Sequence, residues 1–320
     1  MRIYRSLDEV PPDFGPSAVT IGNFDGVHAG HRRILRRLKE LAAERGWKPS
    51  VLTFHPHPTR VVAPARTPRL MTTPEQRCAL AGGEGIQQVL ILPFTPEIAR
   101  LDPEEFVSRI VARKLGARAV LVGHNFRFGH GQHGNTEVLR QLGERYGFCT
   151  EIVPAVRLRG QLVSSSAIRQ WVEAGQVARA ARLLERCYSL EGDVVPGHGI
   201  GSKRTVPTLN LAPTTDVWPA RGVYITRTHD LENPRSWPSV TNIGVRPTFG
   251  GDDRPSIETF LLDSLKDPAP RRIRIEFLHR LRDERRFDSP EALKEQILRD
   301  VARTHTYFRR LARRGAIVLG

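Results

Sequence analysis

The ten residues 22–31, GNFDGVHAGH, follow an apolar run at 18–21 and lead into a segment with helical spacing at 31–45. An apolar strand that opens through a glycine-rich turn into a helix presents backbone N–H groups at the helix N-terminus, where the helix dipole also favours negative charge. Such a turn is a phosphate site, and it commits this part of the chain to a strand–loop–helix unit. His28 and His31 stand three residues apart across Gly30, so both rings face one side of the turn. Two histidines in a turn more often only satisfy local geometry. Here Gly26 and Gly30 permit close backbone approach, the order of elements fits, and no cysteine or carboxylate stands at zinc-ligand spacing.

The same alternation continues to about residue 156. Apolar runs at 18–21, 50–54, 88–92, 117–122 and 148–153 are separated by helical patterns at 31–45, 74–83, 103–115 and 135–146. Near-continuous apolar strands alternating with helices predict a parallel, doubly wound α/β sheet whose ligands bind beyond the carboxyl ends of the strands. Residues 165–185 read as two short helices broken at Gly175. Beyond them, the runs 188–195, 222–228, 239–243, 256–263 and 271–279 are short, β-branched or alternating, and punctuated by Pro and Gly. They predict a small all-β barrel. A last helix at 289–303 has Ser289 as N-cap and Pro290 at its first position, with Leu293, Ile297 and Val301 expected to pack on the barrel. The expected domains are 1–186 and 187–320.

A chain of 320 residues has room for two cores. No apolar run approaches the ~18 residues of a membrane span, and the N-terminal residues have no secretory h-region. The three cysteines, Cys78, Cys149 and Cys187, are widely separated, as suits free thiols in the cytoplasm. The formal charge of +15 raises nucleic-acid binding as a rival class. Yet the basic residues are interspersed with carboxylates and lack interleaved aromatics, so attraction for phosphorylated small molecules accounts for them better.

The segment GNFDGVH resembles the H-x-G-H signature of the nucleotidyltransferase superfamily, in the form found in prokaryotic bifunctional riboflavin kinase/FAD synthetases. The resemblance implies a Rossmann-like nucleotidyltransferase domain followed by a riboflavin kinase-like barrel. It implies that His28 and His31 contact the α- and β-phosphates of ATP, with Gly22, Asn23, Phe24, Asp25 and Gly26 around them. SSSAIR at 164–169 opens a helix; by composition an ordinary N-cap, it is similar to the family's I-S-S-T-x-I-R, which assigns Ser165, Ser166 and Arg169 to the β/γ-phosphates. VGHNFRFG at 122–129 matches a family loop in which Asn125 contacts the phosphates or the Mg²⁺-bound nucleotide and Phe126 and Phe128 pack around flavin or adenine, although core plugs are the more usual role for phenylalanine. TFHPHP at 53–58 resembles the flavin wall built from Phe54, Pro56 and Pro58, with a purely structural turn as the alternative. His124, His130 and His133 suggest a metal cluster at first sight, but such positions vary in the family pattern.

In the second half, the glycine loop 197–201 (Gly197, Gly199, Gly201) follows a strand and is a weak phosphate signal by itself. Pro207-Thr208-Leu209-Asn210 resembles the P-T-A-N of riboflavin kinases, where Thr208 and Asn210 would hold Mg²⁺-ATP through hard oxygen ligands. TNIGVRPTFGG at 241–251 matches a further family signature, and Glu258 stands where the family has its E-x-H. A carboxylate base suits phosphorylation of a primary hydroxyl, whereas a strand glutamate is otherwise usually just solvent-facing. The chain departs from the pattern at Thr205, Val206, Leu209 and Phe260, and lacks a Leu-Tyr-Gly near 267–271; bulk added beside the nucleotide loop is expected to weaken ATP binding.

The resemblance implies an enzyme that phosphorylates riboflavin to FMN and adenylylates FMN to FAD, using ATP and Mg²⁺, with small-molecule substrates, no nucleic acid and no membrane; it leaves self-association open. The alternatives are a monofunctional FAD synthetase with a degenerate flavin-binding barrel, an adenylyltransferase for another phosphorylated acceptor, and a basic nucleic-acid-binding module.

Overall fold

The computed structural model describes residues 1–196, 208–246, 254–263, 265 and 269–313, without the side chains of Val245, Arg246, Arg254 and Pro255. The chain divides into two compact units, Met1–Ser165 and Ser166–Gly320.

In the first unit the elements run β1 (Arg2–Tyr4), β2 (Ser17–Ile21), α1 (Ala29–Arg45), β3 (Lys48–His55), α2 (Pro58–Val62), α3 (Pro74–Gly83), β4 (Gln88–Pro93), α4 (Pro96–Arg100), α5 (Pro103–Glu105), β5 (Ala117–Gly123), α6 (Thr136–Tyr146), β6 (Cys149–Val153) and a small hairpin, β7 (Arg157–Leu158) and β8 (Gln161–Leu162). The six strands β1–β6 form one sheet in the order β1-β4-β3-β2-β5-β6, and every pairing is parallel. Successive side chains of a strand face opposite ways, and the core divides accordingly. Val19, Ile21, Leu52, Leu90 and Val120 meet Phe106, Val107, Ile110, Leu139 and Leu142 on one face. Ala18, Val51, Val89, Ala119 and Leu121 meet Leu35, Leu38, Cys78 and Ala81, from α1 and α3, on the other. Truncating a fully buried side chain such as Leu38 to Ala costs about 2–5 kcal/mol.

The expected helix at 103–115 is one turn of α-helix that continues as a π-helix over Phe106–Lys114. The wider winding still presents Phe106, Val107, Ile110 and Val111 to the sheet. The edge strand β1 escaped the sequence reading because RIY is short and only Tyr4 is buried.

The second unit contains α7 (Ser165–Glu173, which begins at the border), α8 (Val177–Leu184), β9 (Tyr188–Val195), β10 (Thr208–Pro213), β11 (Gly222–Asp230), β12 (Ser236–Arg246), β13 (Arg254–Leu261), β14 (Arg272–Arg282) and α9 (Pro290–Arg313). The strands close into an antiparallel barrel in the order β10-β13-β12-β11-β14-β9, with β9 returning to pair with β10. The border between units falls ahead of the expected 186/187. Val177, Ala180, Leu183 and Leu184 are buried on α8, which packs on β9 and β14.

Helix α9 buries a different face from the expected one. Leu293 and Ile297 are each 42% exposed, and the buried face consists of Gln296, Asp300 and Thr304. The cause is the charge carried by the barrel. Arg282 at the end of β14 donates to Asp300 Oδ2 at 2.9 Å, Gln296 Nε2 donates to Asp300 Oδ1 at 2.9 Å, and Arg285 donates to the Gln296 amide oxygen. A barrel that presents a guanidinium selects the helix face that carries a carboxylate. The cap is as expected, with Ala292 N–H donating to Ser289 Oγ at 3.2 Å.

Packing of α8 on the barrel has a measurable consequence. Burial of its four apolar side chains is worth several kcal/mol at ~1.5–3 kcal/mol for each large one. A fragment of residues 166–320 should therefore melt cooperatively at a higher temperature than one of residues 187–320, as followed by circular dichroism. Equal midpoints would show that α7 and α8 contribute nothing to this unit.

Candidate active sites

Between β2 and β3, the chain runs outward to one edge of the sheet, whereas β5 pairs with β2 on its other side. The carboxyl ends of β2 and β5 thus flank the switch point where open α/β sheets bind ligands. The turn 22–28 sits there. It is strained: Phe24 (φ 50°), Gly26 (φ 79°) and Val27 (φ 36°) all have positive φ, which is unusual for an aromatic and a β-branched residue.

What holds this conformation is a set of long-range bonds. The buried Asp25 carboxylate accepts from Met71 N (3.1 Å), Thr72 N (3.0 Å) and Thr72 Oγ1 (2.9 Å), while Gly26 N–H donates to Thr72 Oγ1 at 3.0 Å. The buried Arg77 donates to the Asn23 carbonyl at 2.7 Å and to Thr53 Oγ1 at 3.2 Å. Burial pushes the Arg77 guanidinium pKa down, and the nearby Asp25 carboxylate pulls it back up. Ser165, which lies 140 residues away in sequence, donates from Oγ to the Asp25 carbonyl at 3.0 Å.

His28 is the N-cap of α1, its Nδ1 accepting from His31 N–H at 3.3 Å. An accepting Nδ1 places the proton of a neutral ring on Nε2, which becomes the donor. The rings of His28 and His31 stack with centroids 3.6 Å apart and planes 12° from parallel, and Phe24 leans on His31 at 5.0 Å. The expectation that both rings share one side of the turn holds.

Beside the turn lies a cleft of about 600 Å³. Gly22, Asn23, Phe24, His31, Phe54, Pro58, Asn125, Phe126 and Phe128 all line it, so motifs from three separate segments meet in one place. Phe126 stacks near-parallel to Phe128 at 5.4 Å, and Phe54 meets Phe94 edge-on at 5.5 Å. Sequence reading missed Phe94, Phe106, Arg127 and Gln132 in this lining. Phe94 and Ile98 follow the carboxyl end of β4, and the strand-end rule would have found them. His28, Pro56 and Ser165 lie outside the lining; Ser166 and Arg169 lie on α7, within the second unit. The Asp25 carboxylate faces Met71 and Thr72 and braces the turn.

In the barrel, Asn210 on β10 pairs with Glu258 on β13, which pairs in turn with Asn242 on β12. Asn210 is buried and Glu258 half-buried, while Thr208 shares their face of the sheet and is exposed. Leu209 points the other way. It is 6% exposed in the barrel core opposite Thr259, so its bulk is absent from the row Thr208, Asn210 and Glu258. Phe260 is half-buried opposite Thr208. Gly197, Gly199, Gly201, Thr205 and Val206 lie outside the described residues. No three His, Cys, Asp or Glu side chains converge as a metal site among the described residues.

Family comparison divides the chain in the same order. The FAD synthetase family matches residues 11–167 and the riboflavin kinase family residues 184–308. A bifunctional riboflavin kinase/FMN adenylyltransferase from Pseudomonas fluorescens is 39% identical over 94% of this chain and 96% of its own length. The chain belongs to this bifunctional family. The corresponding protein of Escherichia coli K12 is 34% identical over 96% of this chain and 97% of its own. A crystal structure from Streptococcus pneumoniae, described as a macrolide-efflux protein, is 26% identical with a TM-score of 0.83, covering 95% of this chain and 98% of its own. Among the described residues, no helix is long and apolar enough to cross a membrane.

The Asp25 brace sets an expectation for the turn. Asp25→Ala leaves two buried N–H groups without their acceptor and should cost about 1–3 kcal/mol of stability. Denaturant unfolding checks this. A variant of parental stability would mean that the carboxylate does not hold the turn.

Proposed function

We propose that the chain makes FAD from riboflavin in two ATP-dependent steps, phosphorylation in the barrel and adenylylation at the strand-end cleft. The observation that carries this reading is the pairing of two family matches with two folds, in a chain that matches bifunctional relatives over nearly its whole length.

In the adenylylation step, a phosphate oxygen of FMN attacks the α-phosphorus of ATP, a new P–O bond forms, and pyrophosphate leaves with the electrons of the broken one. No protein nucleophile is required. The chain must align the reactants and meet the negative charge that builds on phosphate oxygens. His28, a donor through Nε2, and its stacked partner His31 sit at the N-terminus of α1, where the helix dipole adds to the effect. The phenylalanine-lined cleft offers flat apolar walls for the flavin ring.

In the phosphorylation step, the terminal ribityl hydroxyl of riboflavin attacks the γ-phosphorus and ADP leaves, while Glu258 takes the hydroxyl proton. Thr208 and Asn210 supply hard oxygen donors without a dedicated acidic cage, which fits a Mg²⁺ ion brought in on nucleotide phosphates. When bound, the ion neutralises phosphate charge. Leu209 lies in the core, so the departure from P-T-A-N leaves the Thr208 and Asn210 face intact, which favours an active kinase over a degenerate barrel. The excess positive charge serves phosphorylated small molecules rather than nucleic acid, and the enzyme works in the cytoplasm.

The two sites separate under mutation. His28→Ala or His31→Ala should lower FAD formation from FMN about 10²–10³-fold and leave riboflavin phosphorylation near parental. Glu258→Gln should do the reverse, lowering phosphorylation ~10²–10⁴-fold. Product separation by chromatography reads both. Histidine variants that adenylylate at the parental rate, or a Glu258→Gln enzyme that phosphorylates normally, would remove the corresponding assignment.

A further inference from the structure

Five hydroxyls occupy the interior of the barrel. Thr226 and Thr228 on β11, Ser239 and Thr241 on β12 and Thr259 on β13 are each 0% exposed. Their oxygens form a closed cycle: Thr241 to Thr259 at 2.9 Å, Thr259 to Thr228 at 3.3 Å, Thr228 to Ser239 at 2.8 Å, Ser239 to Thr226 at 2.8 Å, and Thr226 to Thr241 at 2.8 Å. Each hydroxyl has one proton to give, so all five bonds are made when donation runs in one sense, which the bond from Thr241 to Thr259 sets. Apolar side chains surround the cycle: Leu209 opposes Thr259, Ile275 opposes Thr228, and Phe277 opposes Thr226.

Stability alone does not call for such an arrangement. Valine has the shape of threonine, and replacing all partners of a buried polar network by apolar groups of similar volume is often neutral or stabilising. Register is different. A slip of one residue between β12 and β13 would turn core side chains to the outside and is penalised by hydrophobicity. A slip of two preserves the inside–outside pattern and meets no such penalty. It does break the cycle, because Thr241 would then face Ile257 or Leu261 in place of Thr259. Such a slip would carry Glu258 by roughly 7 Å, at about 3.3–3.4 Å per residue, away from Asn242.

We propose that the hydroxyl cycle locks the register of β12 and β13 and thereby holds Glu258 beside Asn210 and Asn242, making Thr241 and Thr259 positioning residues for riboflavin phosphorylation. The proposal rests on the reading of Glu258 as the base. Thr259 adjoins Glu258 in the chain and Thr241 adjoins Asn242, so the lock acts at the two positions nearest that row.

The test replaces the whole cycle by Thr226→Val, Thr228→Val, Ser239→Ala, Thr241→Val and Thr259→Val in the full-length protein, with two readouts. Amide hydrogen exchange across β12 and β13 should speed up roughly tenfold although the thermal midpoint stays near parental, and kcat for riboflavin phosphorylation should fall roughly 10–100-fold, the usual cost of a misplaced group. FMN adenylylation should be unchanged. Parental exchange along both strands would overturn the lock. Faster exchange with parental kcat would overturn the positioning role, and Glu258→Gln then separates the causes: a parental rate removes Glu258 as base, whereas a lowered rate leaves it the base and independent of the cycle. Should the fivefold variant fail to fold, Thr259→Ser and Thr259→Val decide. The hydroxyl-bearing variant should keep kcat and exchange protection and the Val variant lose both, whereas equal behaviour would contradict the proposal.

Discussion

The hydrogen bonds that Met71 and Thr72 give to the buried Asp25 carboxylate hold the turn 22–28 in a conformation its own residues resist. Positive φ at Phe24 and Val27 costs on the order of 1–3 kcal/mol at each residue and persists only where the surroundings over-determine it. The return on that strain is geometric. The chain leaves β2 and enters α1 with His28 at the N-cap, its ring stacked on His31, at the carboxyl edge of a parallel sheet. Four loops contribute to the adjoining cleft because the switch between β2 and β5 brings their ends together.

The two units position chemistry by different means. In the sheet, the groups proposed to act stand on loops and a helix end beyond the strands, fixed by long-range bonds such as those of Asp25, Arg77 and Ser165. In the barrel, Asn210, Glu258 and Asn242 stand on adjacent strands, so their spacing is a matter of register. A loop site is vulnerable to loss of a brace, a strand site to a slip. Phosphate chemistry needs only alignment and charge neutralisation from the protein, and both constructions supply it.

Much of this was legible in the chain because periodicity reports burial directly. The apolar runs of the sheet coincide with β2 to β6, and the break at Gly175 with the gap between α7 and α8. The glycine turn marked the cleft because a strand followed by such a turn and a helix has one common use. What escaped detection depended on partners remote in sequence. The bracing of Asp25 by Met71 and Thr72 is one such feature. The apolar repeat of Leu293, Ile297 and Val301 suggested the buried face of α9, but Arg282 draws in Asp300 instead. Leu209 stood among the departures from the motif because sequence does not say which side of β10 faces the core. The five hydroxyls are scattered over three strands and form a cycle only after the barrel has closed.

The central claim is that one chain carries both activities in separate sites. Incubating the purified protein with riboflavin, ATP and Mg²⁺, and separating the flavins over time, tests it most directly. The account predicts that FMN accumulates first and FAD follows from it, without any added FMN. FAD formed only when FMN is supplied, with riboflavin left untouched at saturating ATP, would contradict it.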